Sequence, residues 1–341
     1  MVTLIGMGSG KWEALSAQAQ QAVRSAGLVF GAKRLLAGLP ADCTARQFAL
    51  YQPADILETL AQNPGQDAVV LYSGDTGFYS GASGLLTPLR ALGIPARVYP
   101  GVSSIQLLSA ALGRPWQDWK LVSAHGCACD PVAECMMNRS VFFLTGGTET
   151  PASLCQKLTD AGMGEAHGVV GENLGTEAEA IRYGSAAELA GQSFAPLSVL
   201  LVENFDLPQL RAPGFPDESF IRSEVPMTKQ EVRAAALAKL AVMPTDTLWD
   251  VGAGTGSVSV ELALAAPKGR VYAVECEPDA CELIRKNRAK FHACNLILIE
   301  GRAPDVLADL PAPDAVFIGG TKGGMEAVLD EVLGKNPNAR I

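Results

Sequence analysis

Short apolar runs recur along the whole chain, and most of them end in a loop that contains glycine or proline. Stretches with helical character lie between these runs. Such alternation is typical of α/β proteins, in which parallel strands alternate with helices. With 341 residues, 48% of them hydrophobic, the chain can form more than one core. We therefore predict two α/β domains.

The first half and the second half carry separate β/α series. In the first half we predict strands at residues 2–5, 68–72, 96–99, 121–123, 141–145, 168–170 and 198–202. In the second half we predict strands at residues 247–251, 271–276, 296–299 and 314–318, and helices at 228–243, 257–266, 278–291 and 324–333. Between the two series, residues 206–217 hold three prolines and no periodicity, which favours a linker. We predict domains at 1–205 and 223–341, joined by a linker at 206–222.

Composition excludes several classes of function. The net charge is −9 and only 18% of the residues are charged, with no basic face to hold a phosphate backbone, so nucleic acid is not an expected partner. No apolar run reaches the ~18 residues of a membrane span. The first residues read as a strand without a basic signal region, so we expect a cytoplasmic protein with no membrane partner.

The cysteines do not predict a metal site. Cys127, Cys129 and Cys135 have the spacing C-x-C-x5-C, which fits no zinc pattern with a second pair, and the chain has only three histidines. Small thiols packed in the core are the expected alternative. We therefore predict no bound metal.

A glycine-rich loop opens a helix in the second domain. Asp250-Val-Gly-Ala-Gly-Thr-Gly256 follows an apolar strand, and its glycines let the backbone approach a ligand and expose amides at a helix N-terminus. Glu275 ends the next strand, where a carboxylate can accept both hydroxyls of a ribose or simply cap a solvated strand end. The pair of features predicts a nucleoside site. Thr228 fits a capping box with Glu231, which leaves it free to face the same ligand.

The first domain has polar loops of another kind. Residues 73–80 follow one buried strand, residues 100–104 follow another, and the turn 6–10 follows the first strand. Since loops at the carboxyl ends of parallel strands form the binding edge of an α/β sheet, we expect one pocket lined by all three. Ser103 or Ser104 could equally serve only as a helix cap.

These loops, taken in order, resemble the tetrapyrrole methylase family, which binds S-adenosylmethionine (SAM) in a cleft between two α/β subdomains. The resemblance covers about residues 1–205 and includes Gly31-Ala-Lys-Arg34, Ser123-Ala-His-Gly126 and Gly171-Glu-Asn-Leu-Gly175. The form Ser73-Gly-Asp-Thr-Gly-Phe-Tyr-Ser-Gly81 is similar to the branch that methylates C5 of a corrin precursor.

The second domain resembles a Rossmann-like SAM methyltransferase, and from residue 213 onward it is similar to enzymes that methylate C15 of the corrin precursor and decarboxylate its ring C acetate. The fused order resembles the C5,15-methyltransferases of cobalamin biosynthesis. Domains of this fold normally have seven strands, whereas we count four by Ile318 and a possible start of a fifth at residues 338–341. The second domain is therefore expected to be incomplete, with one sheet edge bare.

The resemblance implies one SAM per domain. The cofactor-binding residues it implies are Gly8, Gly74, Asp75, Thr76, Ser103, Ser104 and Thr145 in the first domain, and Thr228, Asp250, Gly252, Ala253, Gly254, Thr255, Gly256, Glu275 and Ala303 in the second.

The corrin substrate carries many carboxylates, so each site should also offer cations. The candidates are Lys33, Arg34, Lys229 and Arg302, with a surface role as the alternative for each. His125 and Arg233 are the candidate catalytic residues. Two other functions stay open, namely a non-catalytic carrier of corrin intermediates and a methyltransferase of the same fold acting on RNA or protein. The sequence leaves open a homo-oligomer, the presence of cobalt in the substrate and the order of the two methylations.

Overall fold

The computed structural model describes residues 1–203, 213–321 and 323–341. The predicted α/β class is confirmed, and the described residues form three sheets. The first sheet is fully parallel, with the strand order β3-β2-β4-β1-β5. Its strands are β1 (Val2–Gly6), β2 (Leu28–Phe30), β3 (Arg46–Phe48), β4 (Ala68–Tyr72) and β5 (Ala96–Tyr99). Its helices are α1 (Ala17–Ser25), α2 (Lys33–Leu36), α3 (Pro53–Ala61) and α4 (Ala82–Ala91).

The second sheet is mixed and completes the first half of the chain. Its strands are β6 (Lys120–Ser123), β7 (Ser140–Leu144), β8 (His167–Glu172), β9 (Ala180–Ser185) and β10 (Ser198–Glu203). The order is β6-β7-β10-β8-β9, in which β6 pairs parallel to β7 and the other neighbours are antiparallel. The helices of this half are α5 (Ser104–Leu112), α6 (Pro131–Met137), α7 (Pro151–Asp160) and α8 (Ala186–Ala190).

The third sheet is parallel, with the order β13-β12-β11-β14. Its strands are β11 (Thr247–Val251), β12 (Arg270–Glu275), β13 (Leu296–Glu300) and β14 (Ala315–Ile318). Its helices are α9 (Gln230–Leu240), α10 (Ser257–Ala265), α11 (Pro278–Lys290) and α12 (Met325–Lys335). On the outer side of β14, an isolated parallel bridge pairs Ala315 with Arg340, close to where the sequence predicted a fifth strand to begin.

Local chemistry explains where the elements begin. Helix α7 starts at Pro151, whose fixed φ suits a first helical turn, and the Thr150 side chain accepts a hydrogen bond from the Ser153 amide. Strand β10 lies in the middle of its sheet with every residue buried, so its sequence, Ser-Val-Leu-Leu-Val-Glu, is almost continuously apolar.

Three strands were not predicted, and each lacks an apolar run long enough to recognise. Strand β3 is Arg-Gln-Phe at the edge of the first sheet, and β9 is Ala-Ile-Arg-Tyr-Gly-Ser at the edge of the second. Edge strands expose much of their surface and so tolerate polar residues. Strand β2 is buried but only three residues long.

The segment expected to be a linker is only partly described, since residues 206–212 lie outside the described residues. Residues 213–222 pack on the third sheet's domain, where Phe215 and Phe220 are buried in the core. Their rings pack against Phe291 at centroid distances of 5.2 and 4.8 Å. Pro213, Gly214 and Pro216, which favoured a linker, therefore flank Phe215, an aromatic side chain buried in this core.

Among the residues that the structure describes, two polar contacts connect the halves of the chain. Arg270 at the start of β12 pairs with Asp130 at 2.6 Å, and the Arg288 guanidinium donates to the carbonyl oxygen of Ala161 at 2.8 Å. In the part of the chain that the structure describes, no helix is both long and apolar enough to cross a membrane.

Candidate functional sites

Three glycines meet at the carboxyl end of the first sheet. Gly6 ends β1, Gly74 follows β4 and Gly101 follows β5. A Cβ atom at Gly101 would lie 2.3 Å from the Gly74 carbonyl oxygen and 2.5 Å from that of Gly6. An antiparallel bridge also joins Gly8 to Gly74. The three loops therefore contact each other directly through their backbones and form one continuous wall.

The Asp75 carboxylate ties two of these loops together. Its Oδ1 accepts a hydrogen bond from the Gly77 amide at 2.8 Å, and its Oδ2 accepts one from the Gly101 amide at 3.1 Å. The neighbouring hydroxyl of Thr76 is 3.5 Å from the carbonyl oxygen of Tyr99, outside the lining of the cleft. Asp75 thus both supports the wall and lines the cleft.

The third loop ends in a helix cap. Ser103 is buried directly before α5, and its backbone amide donates to the Gln106 side chain at 2.8 Å. Ser103 also forms the reciprocal capping box with Gln106. The capping interpretation of Ser103 therefore holds, and it does not remove Ser103 or Ser104 from the cleft, since both line it.

The second sheet supplies the opposite wall. His125 follows β6, and its Nδ1 lies 3.3 Å from the Thr145 carbonyl oxygen. Because a carbonyl only accepts, this contact places the proton of the neutral ring on Nδ1 and leaves Nε2 as an acceptor. Thr145 is itself fixed, since its buried hydroxyl donates to the Ser198 carbonyl oxygen at 2.6 Å.

The cleft between the two sheets brings together most of the residues predicted for the first site. Those that line it are Gly8, Arg34, Gly74, Asp75, Ser103, Ser104, His125 and Thr145. Thr76 and Lys33 are not among the lining residues. The prediction missed Tyr79, Asn173 and residues 197–199. Asn173 has a left-handed φ of 49°, so the turn in the Gly171–Gly175 motif was the available signal.

In the second domain, the glycine loop makes a close turn between β11 and α10. The φ values of Gly252, Gly254 and Gly256 are 73°, 57° and 75°, a region that favours glycine. A Cβ atom on Gly252 would lie 2.2 Å from the Gly320 carbonyl oxygen. The loop therefore packs against the loop after β14 without room for a side chain.

Glu275 lies where the prediction placed it, at the end of β12 and beside the glycine loop. Its Oε2 accepts from the Gly254 amide at 2.8 Å, and its Oε1 accepts from the Cys276 and Glu277 amides at 2.7 and 3.0 Å. A carboxylate offers about four lone-pair sites. A ligand with two hydroxyls would therefore have to share or displace at least one of these backbone bonds.

A cavity of about 540 Å³ lies above this loop, within the range of small-molecule sites. The predicted residues that line it are Thr228, Gly252, Ala253, Gly254, Thr255, Glu275, Arg302 and Ala303. The prediction missed Gly319, Gly320 and Thr321. Their signal was a pair of glycines directly after the apolar strand β14, the same pattern that identified the first glycine loop.

Four residues predicted for the second site lie away from its cavity, namely Asp250, Gly256, Lys229 and Arg233. Asp250 is fully buried beneath the loop, where it accepts a hydrogen bond from Ser259, and burial raises its pKa to about 7. Gly256 packs against the side chain of Ile284. Lys229 is exposed and lies 3.6 Å from Asp217.

Arg233, a candidate catalytic residue, lines neither pocket. Its side chain is wholly buried and pairs with Glu261 and Asp217, both at 2.9 Å. It also donates to the carbonyl oxygens of Thr228 and Phe215. The helix pattern gave no sign that this arginine points inward, because a buried arginine requires partners that are distant in sequence.

The cysteine cluster has no metal-binding arrangement. Among residues 1–203, 213–321 and 323–341, no group of three or more His, Cys, Asp or Glu side chains could hold a metal ion. Burial raises the pKa of the Cys129 thiol to about 11, which disfavours the thiolate that a metal would need.

Comparison with known proteins identifies the family. The chain is 32% identical over 338 residues to a precorrin-6Y C(5,15)-methyltransferase (decarboxylating) of Sinorhizobium sp., an alignment that covers 96% of this chain and 81% of that protein. The chain belongs to the precorrin-6Y C5,15-methyltransferase (decarboxylating) family. It is therefore a SAM-dependent methyltransferase of cobalamin biosynthesis, as the sequence predicted.

The two halves of the chain match different protein families. Residues 1–190 match the tetrapyrrole (corrin/porphyrin) methylases, and residues 219–341 match the precorrin methyltransferase domain. The second half is similar to a probable cobalt-precorrin-6B C(15)-methyltransferase (decarboxylating) of Sulfolobus acidocaldarius, with 53% identity over 142 residues, 36% of this chain and 73% of that protein. The solved structure of the methyltransferase CobJ shares the fold of the first half, with a TM-score of 0.50 and 20% identity over 60% of this chain and 94% of that one.

Proposed function

We propose that this family member binds one SAM in each domain, methylating C5 of a corrin precursor in the first cleft and C15, with decarboxylation, in the second. The observation that carries the proposal is the contact between the Gly254 amide and the Glu275 carboxylate at 2.8 Å. It brings the glycine loop and an acidic strand end together at one cavity. This pairing suits the amino-acid part and the ribose of a nucleoside ligand.

The residues of the second cavity fit SAM. The glycine loop can take the methionine part, since a close approach is possible only where no Cβ intervenes. Glu275 is 8% exposed and can accept the ribose hydroxyls by releasing a backbone bond. Thr228 and Ala303 line the same cavity and complete the proposed set.

The first cleft fits the same ligand by other means. Its wall is held by the close backbone contact of Gly6, Gly74 and Gly101, of which Gly74 lines the cleft. The proposed cofactor residues that line it are Gly8, Gly74, Asp75, Ser103, Ser104 and Thr145. Thr76 stays in the proposal only as a neighbour that supports the loop.

SAM, when bound, supplies the methyl group. The chain's own residues orient the corrin ring and exclude water, so that the accepting carbon lies close to the donor. A methylated meso carbon must then lose its proton, and Nε2 of His125 is an acceptor in the wall of the first cleft. Arg34 and Arg302 line the two cavities and are suited to bind the substrate's carboxylates.

Partners and location follow from the same proposal. The small corrin substrate is the expected partner, because the net charge of −9 opposes binding of a polyanion such as RNA. We also keep the cytoplasm as the expected compartment.

Calorimetry on the full chain tests the proposal. Titration with S-adenosylhomocysteine should give two binding events per chain, and Glu275→Ala should leave one. Incubation with SAM and the precorrin should give a product with two added methyl groups and one carboxyl group fewer. A single binding event that Glu275→Ala does not change would contradict a nucleoside site in the second domain.

A further inference from the structure

One buried amide on α11 holds two separate segments of the second domain. Asn287 is completely buried. Its Oδ1 accepts a hydrogen bond from the Ile221 amide at 2.7 Å, and its Nδ2 donates to the carbonyl oxygens of Ile221 and Thr255 at 3.1 and 2.9 Å. One side chain thus binds both backbone groups of Ile221 and one backbone group of the glycine loop.

Both segments lead directly into the second cavity. Thr255 belongs to the glycine loop and lines the cavity itself. Ile221 belongs to an arm, residues 213–228, whose last four residues, 225–228, also line the cavity. A Cβ atom on Gly254 would lie 3.2 Å from the Pro226 carbonyl oxygen, so the arm and the loop are already in close contact there.

The arm is anchored at its other end by a different group. The Glu261 carboxylate accepts from the Gly214 amide at 2.6 Å and from the Phe215 amide at 3.1 Å, and it pairs with the buried Arg233. That network fixes the beginning of the arm and also reaches its end, since Arg233 donates to the carbonyl oxygen of Thr228. Asn287 is the anchor that joins the arm to the glycine loop.

We infer that Asn287 is a positioning residue for the nucleoside site of the second domain, setting the distance between the arm and the glycine loop. The inference rests on the proposed function of that cavity. Asn287 does not line the cavity, so it acts on the ligand only through the Thr255 backbone and the arm. Its loss should weaken binding of the nucleoside rather than remove a contact to it.

The test compares two buried asparagines of the same domain. Asn287→Ala should weaken S-adenosylhomocysteine binding at the second site about tenfold, since three hydrogen bonds that fix the site's walls are lost, while the first site keeps its affinity. Asn295→Ala is the matched control. Asn295 is also fully buried, and its Nδ2 donates to the Ala263 and Ala266 carbonyl oxygens at 3.0 and 2.8 Å, away from the cavity lining.

Hydrogen exchange gives a readout that does not depend on activity. Amides of residues 219–228 should exchange faster in Asn287→Ala than in Asn295→Ala at equal thermal stability. Equal weakening of the second site in both variants would show a general stability effect and overturn the inference. Asn287→Ser, whose hydroxyl can keep one hydrogen bond, should show an intermediate loss. If neither Asn287 variant folds while Asn295→Ala does, Asn287 serves folding alone and the inference is also overturned.

The binding data distinguish a wrong role for Asn287 from a wrong proposed function. If the unmodified chain binds two equivalents and Asn287→Ala binds both with unchanged affinity, only the role of Asn287 is wrong. If the unmodified chain binds one equivalent that Glu275→Ala does not affect, the second nucleoside site itself is absent.

Discussion

The Ser259 hydroxyl donates to the Asp250 carboxylate, and both side chains are buried where β11 meets α10. The contact joins the strand that leads into the glycine loop to the helix that follows it. Burial raises the pKa of Asp250 to about 7, although the Ser259 hydrogen bond lowers it. The carboxyl group beneath the loop is thus protonated over part of the physiological range.

This pKa makes stability of the second domain depend on pH. An unfolded aspartate ionises near 3.8, so between pH ~4 and ~7 the unfolded chain loses a proton that the folded chain keeps. The stabilisation from the raised pKa is full below pH ~4 and is lost as pH rises to about 7. Asp250→Asn should therefore unfold with a higher free energy than the unmodified chain at pH 8, by on the order of 3 kcal/mol, and with little difference near pH 4.

Denaturant unfolding of the unmodified protein and of Asp250→Asn across this pH range measures the difference in their free energies of unfolding. Asp309→Asn, at an exposed position in the same domain, is the control and should leave the profile unchanged. If the free energy of unfolding of Asp250→Asn changes with pH in parallel to that of the unmodified chain, Asp250 does not cause the pH dependence.

Glu275 and Glu300 are neighbours across two parallel strands with different surroundings. Glu275 is bonded to backbone amides beside the glycine loop, whereas Glu300 is exposed and pairs with Arg285. Glu275→Gln should weaken S-adenosylhomocysteine binding at the second site about 100-fold, because the carboxylate proposed to accept two ribose hydroxyls is replaced by an amide. Glu300→Gln should change it less than twofold. Equal effects in calorimetry would exclude a ribose contact for Glu275.

Gly101, where the three loops of the first domain meet, should not tolerate a side chain. Gly101→Ala places a Cβ 2.3 and 2.5 Å from two carbonyl oxygens, so the loops must separate. We expect a loss of on the order of 2–4 kcal/mol in the first domain's stability and loss of SAM binding at its proposed site. Gly84→Ala is the control, since its Cβ meets only Pro53 at 3.7 Å and it lies within α4. It should be neutral or stabilise by about 0.5–1 kcal/mol. Similar melting temperatures for both variants would contradict the packing argument.

The sequence predicted well those features that depend on neighbours along the chain. The buried strands were visible as apolar runs, and the glycine loop with Glu275 was visible because strand, loop and helix follow in order. The roles of Arg233 and Asn287 were not visible. Both lie on helices. Asn287 bonds to Ile221 and Thr255, 66 and 32 residues away, and Arg233 pairs with Glu261 on α10, 28 residues away. These partners meet only after folding.

A second kind of feature was hidden because its signal is weak. The edge strands β3 and β9 carry charged and polar residues that also suit loops. Asp250 was predicted to act with the glycine loop, but sequence alone did not distinguish a ligand contact from a buried support. Only its hydrogen bond to Ser259 and its burial make that distinction.

His125 should affect the rate of methylation in the first domain but not the affinity for the cofactor. With Nδ1 held by the Thr145 carbonyl oxygen, Nε2 can accept the proton released from the methylated carbon. His125→Ala should lower the rate of C5 methylation about 100-fold without changing S-adenosylhomocysteine affinity. His167→Ala, in the same domain but outside the cleft lining, should retain full rate. Single-turnover assays of both variants decide this, and an unimpaired rate in His125→Ala would assign the proton to another acceptor.

Arg302 should affect binding of the precorrin in the second domain but not the rate of the chemical step. It is exposed at the cavity lip, and it has no hydrogen bond or ion pair through its side chain among the residues described. Arg302→Ala should raise the KM for the precorrin about tenfold, as one charge-assisted contact to a carboxylate is lost, with unchanged kcat and nucleoside affinity. Arg302→Lys should recover part of the loss. Arg285→Ala, an equally exposed cation on α11, is the control, and equal KM values for the two alanine variants would place the substrate's carboxylates elsewhere.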